Sequence, residues 1–546
     1  MQHLPTFLGA SPTSCSIPAL TARAIRTAVL LSLVLMTCVL CSGMDNATAP
    51  QTTPTIVTNP TVGPPTTSVT VAGSGFDPYA AVDIYFDKTD MALVTTNGSG
   101  GFAGGSVQLG TAIQVPASAV PGTHWITAVE RHNFKAAQKP FLVRTDWAEW
   151  QHDSTRAGAN PYENVLSPTT VGSLNLYRVY ELWANPQPVV VGDDVYVVGI
   201  DPNNGGNYLY AFDAGGNLMW SYNVGVRGSV ISAPAVVKGV AYVGSDDGNL
   251  YAFNARTGKM LWNYSMGEAG LYSSPAAVQG SRYDTLYFTF SPYTGCEAVW
   301  ALNADTGARL WVWDHCTSGL ATSASVAVAN GLVYAIIGPY SEGTYYSLWA
   351  FDAGTGGLRW EYDLSSPEPI DVPSPAVANS VVYLAFADTL YALRVSDGSR
   401  IWQYSTGTSI ASAPVVANGV VYVGADQTYA LDAATGALRW QSPSVGTEYA
   451  AANGVLYVAG GSALYALDAG SGAVLWQYAD VGPTSPVVTD GTLYAGSSEG
   501  NLLAFGLPDD GSSQQFALPE QPNPRLLVPD YSLRPNALLT TRTNSH

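Results

Sequence analysis

The feature that most constrains this chain is an internal repeat. From about residue 186 to 506 one pattern returns at intervals of roughly 35 to 49 residues, a length at which a single unit cannot bury its apolar face and must stack on its neighbours. Each unit reads as a strand ending in tyrosine, a strand carrying an aromatic-alanine pair, a tight turn, and a strand carrying tryptophan. Eight tyrosines, Tyr196 to Tyr494, and eight alanines, Ala211 to Ala504, hold these positions. Behind the first seven alanines stand Trp220, Trp262, Trp311, Trp360, Trp402, Trp440 and Trp476, ten residues on in six cases and nine in the first. A register this constant requires a hairpin of fixed loop length. Turns such as Asn254-Ala255-Arg256-Thr257-Gly258 and Asp352-Ala353-Gly354-Thr355-Gly356 supply an Asp or Asn to cap the turn and a glycine for positive φ. Ala233-Pro234, Ser274-Pro275, Ser374-Pro375, Ala413-Pro414 and Ser485-Pro486 each open a further short apolar strand, where proline is tolerated. Each unit therefore has four strands.

The last unit ends at Phe505-Gly506-Leu507-Pro508 without its outer strand, whereas Leu174 to Trp183 precedes the first unit and reads as one, with Trp183 in the repeat position. The expected fold is all-β: an eight-bladed β-propeller over residues 174–507, its eighth blade made from both ends of the repeat region, preceded by an Ig-like β-sandwich. Closure of this kind leaves no free ring edge.

At these residues a family resemblance becomes specific. The recurring Ala-x-Asp/Asn-x-x-Thr-Gly-x-x-x-Trp pattern resembles the tryptophan-docking repeat of the PQQ-like propeller family, which includes quinoprotein alcohol dehydrogenases and a lipoprotein subunit of the bacterial barrel-assembly machinery. The resemblance implies that the eight tryptophans, Trp183 included, tie neighbouring blades together. In the quinoprotein members pyrroloquinoline quinone lies against a disulfide between adjacent cysteines, above calcium or a lanthanide, with an aspartate as base. No adjacent cysteine pair exists in this chain.

Residues 51–145 alternate short apolar runs with Gly/Pro/Asn turns, the pattern of a small antiparallel sandwich. Gly73-Ser74-Gly75-Phe76-Asp77-Pro78 resembles the start of IPT/TIG-type immunoglobulin-like domains. Residues 146–173 form a connector expected to lie against the propeller, and the Pro-rich stretch 508–546 a disordered tail. At the other end, Arg23 and Arg26 precede an apolar run from Ala28 to Cys41. Fourteen residues make a helix of roughly 21 Å, short of a bilayer's ~30 Å core, so residues 1–43 read as a signal peptide or lipoprotein signal, with Cys41 and Cys38 as lipidation candidates. The protein is expected to be exported, extracellular or at the cell surface, with possible membrane attachment through its N-terminus.

Cys296 and Cys316 lie ten residues either side of Thr306 in one of the repeat turns, which opposes them across the hairpin and makes them a disulfide candidate in an oxidising compartment. With 22 Lys+Arg against 41 Asp+Glu, and a net charge of −19, a nucleic-acid partner is excluded. His124, His132, His152 and His315 show no ligand spacing, and Asp201-Pro202-Asn203-Asn204 opens like a calcium loop but carries Phe212 at its twelfth position, where a bidentate Glu is required. No Gly-x-Ser-x-Gly elbow and no P-loop occurs in the propeller. These absences yield an expectation of a monomeric, non-enzymatic binding or scaffold protein with no catalytic, cofactor or metal residues, binding a protein or glycan at the propeller face. The alternatives are a divergent quinoprotein dehydrogenase, using the quinone with calcium, and a lipoprotein assembly factor. For the cysteine pair, intact-mass measurement with and without reductant is expected to differ by one disulfide; two free thiols in the exported protein would remove it.

Overall fold

The computed structural model describes residues 53–102, 111–182 and 187–508 apart from 202–203, 226–231, 268–270, 272, 291–295, 317–323, 339–344, 366–371, 445, 462, 480–481 and 483. The signal region, Cys38 and Cys41, Trp183 and nearly all of the tail lie outside the described residues. Two sheets come first. Thr55–Asn59, Ser68–Ser74 and Thr111–Gln114 form one, while Ala136–Val143, Gly122–Glu130, Ala81–Phe86 and Thr89–Thr95 build the other, with Val62–Gly63 on its edge. Ile56, Val71, Phe76, Ile84, Phe86, Ile126 and Phe141 share one buried core between them.

Eight sheets of four antiparallel strands each follow among the described residues, forming a β-propeller, and Ala159–Asn160 adds a short parallel fifth strand to the seventh. In seven the four strands are consecutive, as in Ala235–Val237, Val240–Gly244, Asn249–Asn254 and Met260–Ser265. The eighth takes Thr484–Thr489, Thr492–Gly496 and Leu502–Gly506 from the end of the chain and completes itself with Asn175–Tyr180 from before the first sheet. Val190 and Val195 of the first sheet share a core with Val487 and Tyr494 of the eighth.

The repeat residues join each sheet to the next. The indole N–H of Trp220 donates to Ala255 O at 2.8 Å, Trp262 to Ala304 O at 3.0 Å, Trp311 to Ala353 O at 2.9 Å, Trp360 to Val395 O at 2.8 Å, Trp402 to Ala433 O at 3.0 Å and Trp440 to Ala469 O at 3.0 Å. Each acceptor is a turn carbonyl of the following sheet. The recurring tyrosine shares that acceptor: Tyr242, Tyr287, Tyr383 and Tyr422 donate to the same carbonyls as the tryptophans of their own sheets. The turn glycine has two reasons to be glycine. Gly436 has φ +72°, and a Cβ there would stand 2.7 Å from the Trp402 ring, so the indole lies flat on bare backbone.

The two junctions beside the eighth sheet differ. Trp476 donates to Leu174 O at 3.1 Å, whereas the next link is made by Arg178. Strand register puts Arg178 opposite Ala504, the place tryptophan holds opposite Ala211, Ala252 or Ala466 in other sheets. Its guanidinium donates to Ala214 O at 2.7 Å and its chain covers Gly216. The assignment of Trp183 to the docking position is therefore corrected. Counting tryptophans overshot by five residues, because a long planar cation reaches the same turn carbonyl as an indole.

The connector does more than join modules. The inner strands are sheet edges, and their mid-strand amides face the channel without a ladder partner. Residues 145–160 pass all of them in turn. Thr145 exchanges hydrogen bonds with Asp490 of the eighth sheet, and Trp147 pairs with Val190 of the first. Val236 donates to Ala148 O at 2.8 Å, Ala277 to Glu149 Oε1 at 3.2 Å, Val328 to Ser154 O at 2.7 Å, Val377 to Thr155 O at 2.8 Å, Val416 to Ala157 O at 2.8 Å and Ala451 to Gly158 O at 2.9 Å. Asn160 then returns to the eighth sheet, donating from Nδ2 to Val488 O and to Thr145 O, so the loop closes on its own beginning.

Trp402→Ala should cost about 3 to 5 kcal/mol, as a large-to-small change at a residue 9% exposed that also removes one of the two side-chain donors to Ala433 O, and Arg178→Ala about 1 kcal/mol at its half-exposed seam. Urea unfolding reads both; equal losses would mean the arginine seam is as strong as a tryptophan one.

Candidate functional site

Around the channel, one residue of each sheet stands three positions before the mid-strand residue that bonds the connector, through its amide in seven sheets and through the Val488 carbonyl in the eighth. These are Gln187, Ala233, Ser274, Ser325, Ser374, Ala413, Glu448 and Ser485, from the first sheet to the eighth. Proline follows in six of them, and fixes the backbone entering the inner strand. Serines link neighbours on one arc: Ala233 N–H donates to Ser274 Oγ, Ser274 N–H to Ser325 Oγ and Ser325 N–H to Ser374 Oγ, at 2.7 to 3.0 Å. On the opposite arc the position holds a carboxyl, Glu448, and Tyr449 stands where most sheets have proline.

A small cleft opens there, enclosing about 40 Å³. Trp147, Trp150 and Gln151 of the connector line it, together with Gln187-Pro188, Ala413, Thr447-Glu448-Tyr449 and Ser485-Pro486-Val487 from the starts of four inner strands. No basic side chain lines it. Glu448 keeps one face on the cleft yet is enclosed by protein, and this burial raises its carboxyl above the ordinary glutamate range despite the hydrogen bond donated by Ser485 Oγ. Tyr449 donates or accepts at Thr428 Oγ1 (2.9 Å) and accepts the Gly446 amide (3.2 Å), which anchors the segment carrying Glu448. The arrangement offers two indoles, two carboxamides, three hydroxyls and one carboxyl that takes a proton more readily than usual.

Behind the cleft, the connector buries charge. Arg156 is fully buried and its guanidinium donates to Trp150 O, Val326 O, Ser274 O and Pro275 O. Glu149 lies 3.7 Å from it, and burial pushes that carboxyl up to about 8, against the opposing pull of Arg156. Asp490 is likewise pushed by burial, with Asp146 and Asp193 nearby, to about 7.

The residues singled out from sequence fall elsewhere. The docking tryptophans lie at the junctions between sheets. Cys296 and Cys316 are directly opposed partners in strand register. His124 bonds Asp87 at 2.6 Å in the N-terminal module, and the acids of the repeat turns cap those turns, as Asp352 does for Thr355. Among the described residues no three His, Cys, Asp or Glu side chains converge as metal ligands, and no helix is long and apolar enough to cross a membrane. Glu448 was missed because its signal is a departure: the one acid at a ring position otherwise filled by Ser, Ala or Gln.

With this geometry the chain is a member of the PQQ-like propeller proteins. The family model described as "Outer membrane protein assembly factor BamB" matches residues 144–312, 284–440 and 427–514, more than half of the sequence, and the chain belongs to that family. A stretch of 132 residues is 27% identical to the dehydrogenase subunit of a quinone alcohol dehydrogenase of Gluconobacter oxydans (strain 621H), and covers 22% of this chain and 17% of that protein. The chain thus matches under a fifth of that relative's length. Similar solved structures include a quinohemoprotein alcohol dehydrogenase from Comamonas testosteroni, with TM-score 0.56, 17% identity and coverage of 66% of this chain and 80% of that one. A europium-containing methanol dehydrogenase gives TM-score 0.53 and 14% identity, covering 66% and 98%. At such identities the structures establish the fold.

These relatives overturn two expectations, that the chain is a non-enzymatic scaffold and that it takes no cofactor. Both rested on the missing adjacent-cysteine pair and on acids confined to turns; the curated relative is a quinone dehydrogenase, and the structure puts a carboxyl in an axial cleft.

For both Glu149 and Asp490 the folded pKa exceeds the ordinary values of 4.5 and 3.8, so the native state holds more protons than the unfolded chain. Their stabilisation is full below about pH 4 and is lost as pH rises through about 7 and 8. Urea midpoints are expected to be higher at pH 5.5 than at pH 8.5, with a flatter profile in Asp490→Asn; a midpoint that rises with pH contradicts the assignment.

Proposed function

We propose that this protein is a divergent quinoprotein dehydrogenase that oxidises an alcohol in the axial cleft, with pyrroloquinoline quinone and a hard cation as cofactors. The observation that carries the reading is Glu448, a half-buried carboxyl of raised proton affinity lining the cleft, beside indoles and a set of neutral oxygen and amide groups. The cleft encloses only about 40 Å³, so the quinone would lie across its open mouth against these groups. Trp150 lines the cleft with an aromatic side chain, while Gln151, Gln187 and Thr447 offer donors for carboxylates. The oxygen donors, all hard, suit calcium or a lanthanide. With no Lys or Arg lining the cleft, an anionic quinone beside Glu448 would need that cation for charge balance.

When bound, the quinone supplies a two-electron acceptor. Glu448, once ionised, takes the proton of the substrate hydroxyl, and Ser485 Oγ holds the carboxyl in place by donating to it. Trp147 and Val487 supply apolar lining to the cleft. The eight sheets are read here as a complete eight-bladed ring, the N-terminal pair of sheets as an IPT/TIG-type immunoglobulin-like domain, and the chain as exported, with Cys38 or Cys41 available for a lipid. A second reading, an assembly factor that binds protein partners of the outer membrane, is favoured by the description of the matching family model.

Calorimetry of the purified protein is expected to show one pyrroloquinoline quinone bound per chain only when calcium or a lanthanide is present, with dye-linked alcohol oxidation. Glu448→Gln should lower turnover by about 10²-fold or more. In the wild type, kcat/KM should climb with pH through an apparent value above the ordinary 4.5 of glutamate. An absence of binding with either cation, together with crosslinking of the protein on intact cells to outer-membrane assembly components, would replace the dehydrogenase reading with the second.

A further inference from the structure

We infer that Arg156 is a positioning residue that sets the floor of the axial cleft by fixing Trp150; the inference rests on the cleft being the functional site. Its five N–H groups form a rigid planar fork, and the structure uses them in two directions. Toward the cleft, Nη1 donates to Trp150 O at 2.6 Å and the guanidinium carbon stands 5.7 Å from the Trp150 ring centroid, within cation–π range. Away from it, Nε donates to Val326 O at 3.1 Å and Nη2 to Ser274 O and Pro275 O, each at 3.0 Å. These carbonyls belong to the third and fourth sheets, at the starts of their inner strands. The walls of the cleft come from the sixth, seventh, eighth and first sheets. One buried cation thus ties the indole facing the cleft to the side of the ring opposite its walls.

The local backbone needs that tie. Gln151, His152 and Arg156 all have positive φ, at 56°, 81° and 58°, conformations that L side chains hold only when their surroundings over-determine them. Holding a plug in a channel does not itself require charge, and a buried ion pair is commonly replaced by apolar groups at no loss of stability. A guanidinium with four carbonyl acceptors and a carboxyl at 3.7 Å supplies direction, which an apolar side chain lacks. Lysine, a compact point charge with three donors, cannot span acceptors on two sheets and the connector together.

The test removes the guanidinium together with the carboxyl beside it in the full-length protein, as Arg156→Met with Glu149→Gln, with Arg156→Lys as a second variant that keeps the cation. Hydroxyl-radical footprinting of Trp150, read by mass spectrometry without any cofactor, is expected to rise at least three-fold in the double variant and about two-fold in Arg156→Lys, at melting temperatures within a few degrees of wild type. Titration with pyrroloquinoline quinone and calcium is expected to give a Kd at least ten-fold weaker in both. Trp150→Leu should weaken binding similarly, with no further loss when combined with the Arg156 substitutions. Unchanged footprinting of Trp150 in folded Arg156→Lys and in the double variant would overturn the positioning role, whether or not the quinone binds. A wild type that fails to bind the quinone while footprinting rises in the variants would overturn the dehydrogenase reading and leave the positioning role standing.

Discussion

Eight sheet edges facing a common axis set the central physical problem of this structure. A backbone amide buried without a partner costs free energy on the order of a lost hydrogen bond, about 1 to 3 kcal/mol, and each inner strand brings one to the channel. Residues 145–160 answer them with main-chain carbonyls, the Glu149 carboxyl and, for Asp490 of the eighth sheet, the Thr145 hydroxyl. That single turn of chain shapes everything near the axis. It seals the channel on one side, leaves a cleft on the other, and presents Trp147 and Trp150 to it.

The circumference is held by a different device, repeated. An indole N–H and a tyrosine hydroxyl converge on one turn carbonyl of the next sheet, and a glycine with positive φ lets the indole lie on its backbone. Asp or Asn caps the same turn, so the acid, the glycine and the tryptophan of each motif serve one junction. The arginine at the seam shows that what the junction demands is a donor of sufficient reach and a flat surface, which two side chains of quite different chemistry satisfy.

Much of the architecture was legible because it repeats. Ala211 to Trp220 and its successors announce hairpins of fixed length, and the missing outer strand after Phe505 pointed to the segment before the first unit, which pairs there through Asn175 to Tyr180. The site was not legible in the same way. Glu448 is visible only once the inner strands are laid beside one another, since the seventh sheet replaces the Ser-Pro opening with Glu-Tyr. Arg156 is a lone arginine in a stretch without period. Its partners Ser274, Pro275 and Val326 are more than a hundred residues away.

The sequence by itself determined the strand pattern, the turn chemistry and the family, since each depends on neighbours within one hairpin and is written again in every unit. Tertiary structure alone decided that the connector encircles the axis, that Arg178 holds the docking position at the seam, and that a carboxyl and two indoles line one cleft with a buried guanidinium behind it. Those facts depend on contacts between sheets. No local period encodes them, because each is made once, where the ring brings distant segments together.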